Sequence, residues 1–95
     1  MNELNLSVVV ICFNEEEYIE ECLASLAYQD YPSTLFEVLI IENGSTDKTQ
    51  EIVKSFVKEH PNMYLIVSDA CGIAANRNRG ISEANNNYVA FIDAD

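Results

Sequence analysis

The sequence predicts an α/β fold: a parallel, doubly wound sheet with helices on both faces. Three observations lead there. Apolar, β-branched runs alternate strictly with stretches whose apolar residues recur at helical spacing. The runs are nearly continuous rather than alternating in polarity, which suits strands buried on both faces. Each run also ends in polar residues, so a polar rim forms at the carboxyl ends of the strands, where such sheets bind ligands.

The elements follow in order. Leu6–Phe13 (LSVVVICF) reads as the first strand. Asn14 is expected to open a helix, with Glu17 three residues on completing a capping box. On that helix Tyr18, Ile19, Cys22, Leu23 and Leu26 fall on one face, expected against the sheet, and Pro32 forbids continuation. Phe36–Ile41 (FEVLII) is the second strand, and Glu42–Thr46 a turn. Asp47 with Gln50 can cap a helix whose buried stripe is Ile52, Val53, Phe56 and Val57, ended by His60-Pro61. Met63–Val67 is the third strand, Ser68–Gly72 a loop, and Ile73–Ala84 a third helix. Asn85, Asn86 and Asn87 make a polar turn, for which asparagine's tolerance of the left-handed conformation is suited. Tyr88–Ile92 (YVAFI) is the fourth strand, and Asp93-Ala94-Asp95 follows it.

Length and composition narrow the classes. Ninety-five residues with 48% hydrophobic side chains make one globular domain, 1–95, rather than a disordered chain. The formal charge of −11 repels nucleic-acid backbones and anionic membrane surfaces, so no nucleic-acid partner is expected. Glu15, Glu16, Glu17, Glu20 and Glu21 read as a solvated helix face near a helix N-terminus. Cys12, Cys22 and Cys71 match no zinc spacing and read as reduced core residues, which implies a cytoplasmic protein. No signal peptide is visible at the start, and Leu6–Phe13 is too short to span a bilayer.

Several clusters on the rim can carry chemistry, and each has a bland alternative. Asp93 and Asp95 repel each other at the end of an apolar strand, a cost that a divalent cation would relieve; Asp-x-Asp is also common in solvated turns. Asn43-Gly44-Ser45-Thr46-Asp47 suits an ordinary turn and cap, or an Asn43 that meets a nucleobase edge. Arg77 lies in a small-residue stretch, where it can reach a diphosphate or pair with Asp69 or Asp95, whereas Arg79 reads as a surface residue. His60, the one histidine, sits at a helix end with no Ser/His/Asp set around it. The three glycines form neither a P-loop nor a dinucleotide fingerprint.

Taken in register, these pieces resemble the family 2 glycosyltransferases. Ser7–Glu16 (SVVVICFNEE) is similar to the family's S-V-V-I-P-T-Y-N-E-E opening, and Glu37–Thr49 (EVLIIENGSTDKT) to its E-I-I-V-V-D-D-G-S-T-D-G-T segment. Gly72–Gly80 resembles G-x-x-x-A-R-N-x-G, and Tyr88–Asp95 the strand that delivers Asp-x-Asp. The resemblance implies a GT-A fold with strand order 3-2-1-4 and a nucleotide-diphospho-sugar donor, most often a uridine one. It implies that Cys12, Phe13, Asn14, Glu15 and Asn43 line the base pocket and that Asp69 and Arg77 lie near the base or diphosphate. Asp93 would face the ribose or metal-bound water, and Asp95 would bind Mn²⁺ or Mg²⁺, a Lewis acid for the departing diphosphate. Departures from the pattern are Ile11 for proline, Phe13 for tyrosine, Glu42-Asn43 for Asp-Asp, and Asn86 for glycine.

Family members continue into an acceptor-binding half that supplies the base of inverting transfer. The chain is therefore expected to be the donor-binding half, cut after Asp-x-Asp, binding donor weakly and transferring nothing alone. Any membrane attachment of a parent protein, at the cytoplasmic face, would lie beyond Asp95. The fourth strand is expected to be an unprotected edge through which copies self-associate. The competing reading is a non-catalytic nucleotide-binding or interaction module of the same fold. A receiver-like domain fits poorly, because Ser68-Asp69 stands where its aspartate belongs and its lysine-bearing fifth strand is missing.

Overall fold

The computed structural model describes residues 5–69 and 72–94, so Cys71 and Asp95 lie outside the described residues. Seven elements alternate as β1 (Leu6–Cys12), α1 (Ile19–Ala27), β2 (Phe36–Glu42), α2 (Thr49–Glu59), β3 (Met63–Val67), α3 (Ile73–Glu83) and β4 (Tyr88–Asp93). All strand pairs are parallel and the order is β3-β2-β1-β4, the order that the family resemblance implies.

Burial explains why these segments are strands. Every residue of β2 is buried, and the run Ser7–Val10 of β1 is buried too, so the two central strands are covered on both faces. Alternation then sorts side chains into two layers. Val8, Val10, Cys12, Val38 and Ile40 pack under α1 and α2 with Ile19, Leu23, Leu26, Val53 and Met63. On the other face Val9, Leu39 and Ile41 form a smaller cluster beneath α3, flanked by Ile11, Ile66 and Val89. Each fully buried aliphatic side chain contributes about 1.5–3 kcal/mol of transfer free energy, so the α1/α2 layer dominates stability. The α3 layer is thin because α3 comes very close: a Cβ on Gly80 would lie 2.6 Å from Val9 Cγ1.

The polar end of the sheet opposite the strand exits is closed by a buried network. The Ser7 hydroxyl donates to Glu37 Oε2 at 2.6 Å, and Asn85 donates to the same carboxylate from its N–H at 2.7 Å and its amide at 2.9 Å. The Asn86 amide reaches the Leu6 carbonyl at 3.1 Å. This network shapes the turn before β4. Among the described residues the one non-glycine with positive φ is Asn14, so the Asn85–Asn87 turn does not use the left-handed conformation expected of it. Side-chain hydrogen bonds hold it instead. A surface cavity of about 540 Å³ opens at this amino-terminal end between Asn5, Glu37, Asn62 and Asn85, away from the strand exits.

The start of α1 also differs from expectation. Asn14 and Glu17 do not form a capping box: α1 begins at Ile19 with no side-chain cap, and the Glu15 carbonyl accepts from the N–H groups of Tyr18 and Ile19. With the helix starting a turn later, Tyr18 is 46% exposed rather than packed on the sheet. Cys22 is half-buried, and Cys12 fully buried. Among the described residues, no helix is long and apolar enough to cross a membrane.

Candidate functional site

The carboxyl ends of β1, β2, β3 and β4 bring Phe13-Asn14-Glu15, Asn43, Asp69 and Asp93 to one rim, because parallel strands in adjacent register all exit on the same side. In register, Cys12 stands beside Glu42, Glu42 beside Val67, and Ile11 beside Asp93. Phe13 leaves β1 with its ring 51% exposed, an apolar face offered to solvent at the centre of the rim. Asp69 and Asp93 are exposed, and Glu15 and Asn43 half-buried.

Cys12 contributes differently from its neighbours. Its side chain is turned into the α1/α2 layer, so only its main chain faces the rim, and its carbonyl accepts from the Asn43 N–H at 3.0 Å. Burial first, then the carboxylates of Glu42 and Glu15, push its thiol up to about 12. It is therefore a neutral thiol at physiological pH.

The β1 and β2 exit loops are laced together. Asn14 adopts φ 51°, which asparagine tolerates, and this turns its carboxamide toward the β2 loop. Asn14 Oδ1 accepts from the N–H of Thr46 at 2.8 Å and of Asp47 at 3.4 Å. In return the N–H groups of Asn14, Glu15 and Glu16 donate to Ser45 Oγ (2.8 Å), Thr49 Oγ1 (2.8 Å) and Asp47 Oδ2 (3.2 Å). Thr49 is fully buried, and its hydroxyl donates to Asp47 Oδ1 at 2.6 Å. Burial raises the Asp47 carboxyl, and the hydrogen bonds from Thr49 and Glu16 together outweigh it, leaving it below the usual aspartate value. Glu42, buried at the end of β2, folds its carboxylate back onto the N–H groups of Gly44 (3.1 Å) and Ser45 (2.7 Å). Gly44 has φ 75°, so this turn favours glycine on backbone grounds alone.

The sequence pattern marks Glu42 and Ser45 as turn residues and Asp47 as a cap, and gives Thr49 no role. Asp47 does close a local turn, through the Thr49 N–H at 2.9 Å, but its second oxygen reaches across to the β1 loop. The S-T-D-x-T spacing was the available signal.

On the α3 side, Arg77 is exposed and its guanidinium sits 5.4 Å from the centroid of the Phe91 ring. Phe91 and Asp93 alternate onto the same face of β4, so Arg77 is held on the face that carries the Asp93 carboxylate. No ion pair of Arg77 with Asp69 is present among the described residues, whereas Arg79 pairs with Glu83 at 3.0 Å along the helix surface. On the opposite side of β4, Cys22 Sγ approaches the Asp93 carbonyl at 3.9 Å, beside a cleft of about 280 Å³ lined by Tyr18, Glu21, Ser25 and Ala94. His60 caps α2 and stacks on Phe56, away from the rim.

A hard cation would find oxygen donors here. Asp93 supplies an exposed carboxylate, and Asp95, the other expected ligand, lies outside the described residues. No group of three potential ligands converges among the described residues.

Comparison with known proteins bears on this geometry. The model of glycosyl transferase family 2 matches residues 7–95. Glycosyltransferase AglE of Haloferax volcanii is 37% identical over 91 residues, covering 95% of this chain and 30% of that protein. Among solved structures, the mannosyltransferase PcManGT of Pyrobaculum calidifontis, in complex with GDP-Man and Mn²⁺, superposes with a TM-score of 0.91 at 31% identity over 99% of this chain and 28% of that one. S. aureus TarS in complex with UDP-GlcNAc gives 0.88 at 36% identity, over 97% of this chain and 27% of that one. The chain thus spans under a third of the length of these relatives.

Proposed function

Given that the chain belongs to glycosyl transferase family 2, we propose that it forms the donor-binding half, residues 1–95, of an inverting, metal-dependent glycosyltransferase. The donor is a nucleotide-diphospho-sugar, with uridine as the base. The observation that carries this reading is the shared rim: Phe13, Asn43, Asp69 and Asp93 leave four parallel strands on one side, with Arg77 held against β4 beside them.

The assignments follow from what each group can do. The exposed Phe13 ring offers a base a stacking surface, an interaction worth about 1–3 kcal/mol where aromatic side chains meet bases. Asn43, at the edge of the same mouth, has an amide that can both donate to and accept from a base edge. Arg77 supplies positive charge for a diphosphate in an otherwise acidic neighbourhood, and its seat on Phe91 limits the entropy lost when it engages phosphate. Asp93 and Asp95 hold the cation, Mn²⁺ or Mg²⁺, which when bound neutralises charge on the departing diphosphate. Structural relatives with this fold carry Mn²⁺ with GDP-Man or are bound to UDP-GlcNAc, which supports a nucleotide-sugar here and makes the base the first thing to test.

These residues are assigned donor binding and not deprotonation of the acceptor. Inverting transfer needs a base opposite the leaving group, and in this proposal the rim carboxylates serve the donor. The 95 residues alone are expected to bind donor and to form no glycoside. The outer edge of β4, where Tyr88 is 55% and Phe91 39% exposed, is proposed as the surface through which copies self-associate.

Thermal titration with UDP-sugars and GDP-sugars, each with and without Mn²⁺, tests the reading. A ligand at about 100 times its Kd stabilises the fold by about 2.7 kcal/mol. The expected result is a Mn²⁺-dependent shift with a UDP-sugar that Asp95→Ala abolishes. Metal-independent binding would support the non-catalytic module instead, and no shift with any nucleotide overturns the donor assignment.

A further inference from the structure

We propose that Thr49, acting through Asp47 and Asn14, is a positioning residue for the donor site. It clasps the β1 loop to the β2 loop so that Phe13 and Asn43 stand at a fixed separation. This inference rests on the donor reading above and adds a buried group that touches no ligand.

The geometry makes Thr49 the hub. It is fully buried under the rim, and its one hydroxyl both accepts from the Glu15 N–H (2.8 Å) and donates to Asp47 Oδ1 (2.6 Å). Asp47 passes the link on through Oδ2 to the Glu16 N–H (3.2 Å), and its own N–H returns to Asn14 Oδ1 (3.4 Å). The Asn43 N–H to Cys12 carbonyl bond closes the lacing at the strand exits (3.0 Å). The two residues that meet the base in the proposed function, Phe13 and Asn43, flank these bonds. Neither exit loop is held by apolar packing at its tip, since Phe13, Asn14, Gly44 and Thr46 are all exposed. Beyond the main-chain bond from Asn43 to Cys12, hydrogen bonds to side chains therefore set the spacing of the two loops. A site whose supporting contacts are loosened loses affinity even when every contacting group is retained.

Thr49→Val keeps the shape and removes the hydroxyl, leaving the Glu15 N–H and one Asp47 oxygen without that partner. Thr49→Ser restores the hydroxyl. Calorimetric titration with UDP in Mn²⁺ buffer should show Thr49→Val binding at least about tenfold more weakly than wild type, with Thr49→Ser close to wild type. Mn²⁺ affinity without nucleotide, read by the ion's paramagnetic resonance, should be unchanged in both. A purely structural role would lower the melting temperature while leaving the affinity of the folded protein intact, and that result overturns the proposal. Should Thr49→Val not fold, Ser45→Ala serves: it removes only the hydroxyl that accepts from the Asn14 N–H (2.8 Å), a clasp bond on a residue assigned no ligand contact, and the same weakening of UDP binding is expected. UDP binding equal to wild type in these variants sinks the clasp and leaves the donor reading standing. Wild-type protein that binds neither UDP nor GDP with Mn²⁺ sinks both.

Discussion

Gly80→Ala tests how closely α3 must approach the sheet. Glycine in a helix interior costs about 0.5–1 kcal/mol relative to alanine, so on propensity alone this substitution should stabilise α3. The structure reverses the sign. The added Cβ would lie 2.6 Å from Val9 Cγ1 and 3.0 Å from Cγ2, against an optimum near 3.5–4.0 Å for carbon pairs. Val9 cannot step aside: it is fully buried, stiff at χ1, and sits on the strand paired on both edges. Overpacking of this kind costs about 1–3 kcal/mol, and a contact this short belongs at the upper end. Subtracting the propensity gain leaves a net loss of about 2 kcal/mol, or a fall of about 8–16 °C in Tm for a domain of this size. Calorimetry of Gly80→Ala, Val9→Ala and the double variant measures it, since Val9→Ala removes both clashing methyls. The double variant should be more stable than the two single losses sum to, by at least about 1 kcal/mol of coupling. A Gly80→Ala protein that melts at or above the wild-type temperature would refute the close approach and with it the register of α3 on β1.

Other consequences are open to direct measurement. Burial pushes the Glu37 carboxyl up, but the hydrogen bonds from Ser7 and Asn85 outweigh it and hold it below the ordinary value of 4.5. Its stabilising contribution is therefore present above 4.5 and lost as pH falls through the lower folded value; Ser7→Ala should flatten the acid limb of a Tm–pH profile, and an unchanged limb would count against the network. Cys12, with its thiol pushed up to about 12 and its side chain buried, should resist iodoacetamide at pH 8 until the protein unfolds, while half-buried Cys22 is alkylated earlier; peptide mass mapping reads the order. Sedimentation at rising concentration should show association that Tyr88→Lys reduces, and a monomer at every concentration would remove β4 as a contact surface.

Much of this architecture was legible in the residues, for reasons that also explain the misses. The four strands were readable because strands buried on both faces leave uninterrupted apolar runs, as in Val8–Val10 and Val38–Ile41. Alternation of elements implied a parallel sheet, but the order β3-β2-β1-β4 came only with the family resemblance, since local pattern carries no information on which strands become neighbours. Asn14 and Glu17 matched a capping box by spacing, yet the Asn14 carboxamide is taken by N–H groups some thirty residues away. Asn86 was expected to supply a left-handed turn. Its N–H instead donates to the Ser7 hydroxyl, 3.3 Å away across the sheet end. Thr49 drew no reading of its own, because one of its hydroxyl's two partners, the Glu15 N–H, lies on another loop. In each case the deciding partner was distant in sequence.

The same lacing bears on how the proposed site would handle charge. Backbone N–H groups at helix starts are the usual neutral means of holding a phosphate. Here the N–H groups of Asn14, Glu15 and Glu16 ahead of α1 already donate to Ser45, Thr49 and Asp47, and those of Thr46 and Asp47 ahead of α2 and of Thr49 at its start donate to Asn14 and Asp47. Those two rim loops have turned these donors inward to fix their own shape. In the donor proposal, a diphosphate approaching a chain of formal charge −11 would be met by positive charge, namely Arg77 and a cation on Asp93 and Asp95. Rigidity at the base end and ionic capture at the phosphate end are thus two results of one arrangement. If that is so, loosening the clasp should weaken UDP binding while leaving the metal dependence of whatever binding remains unchanged.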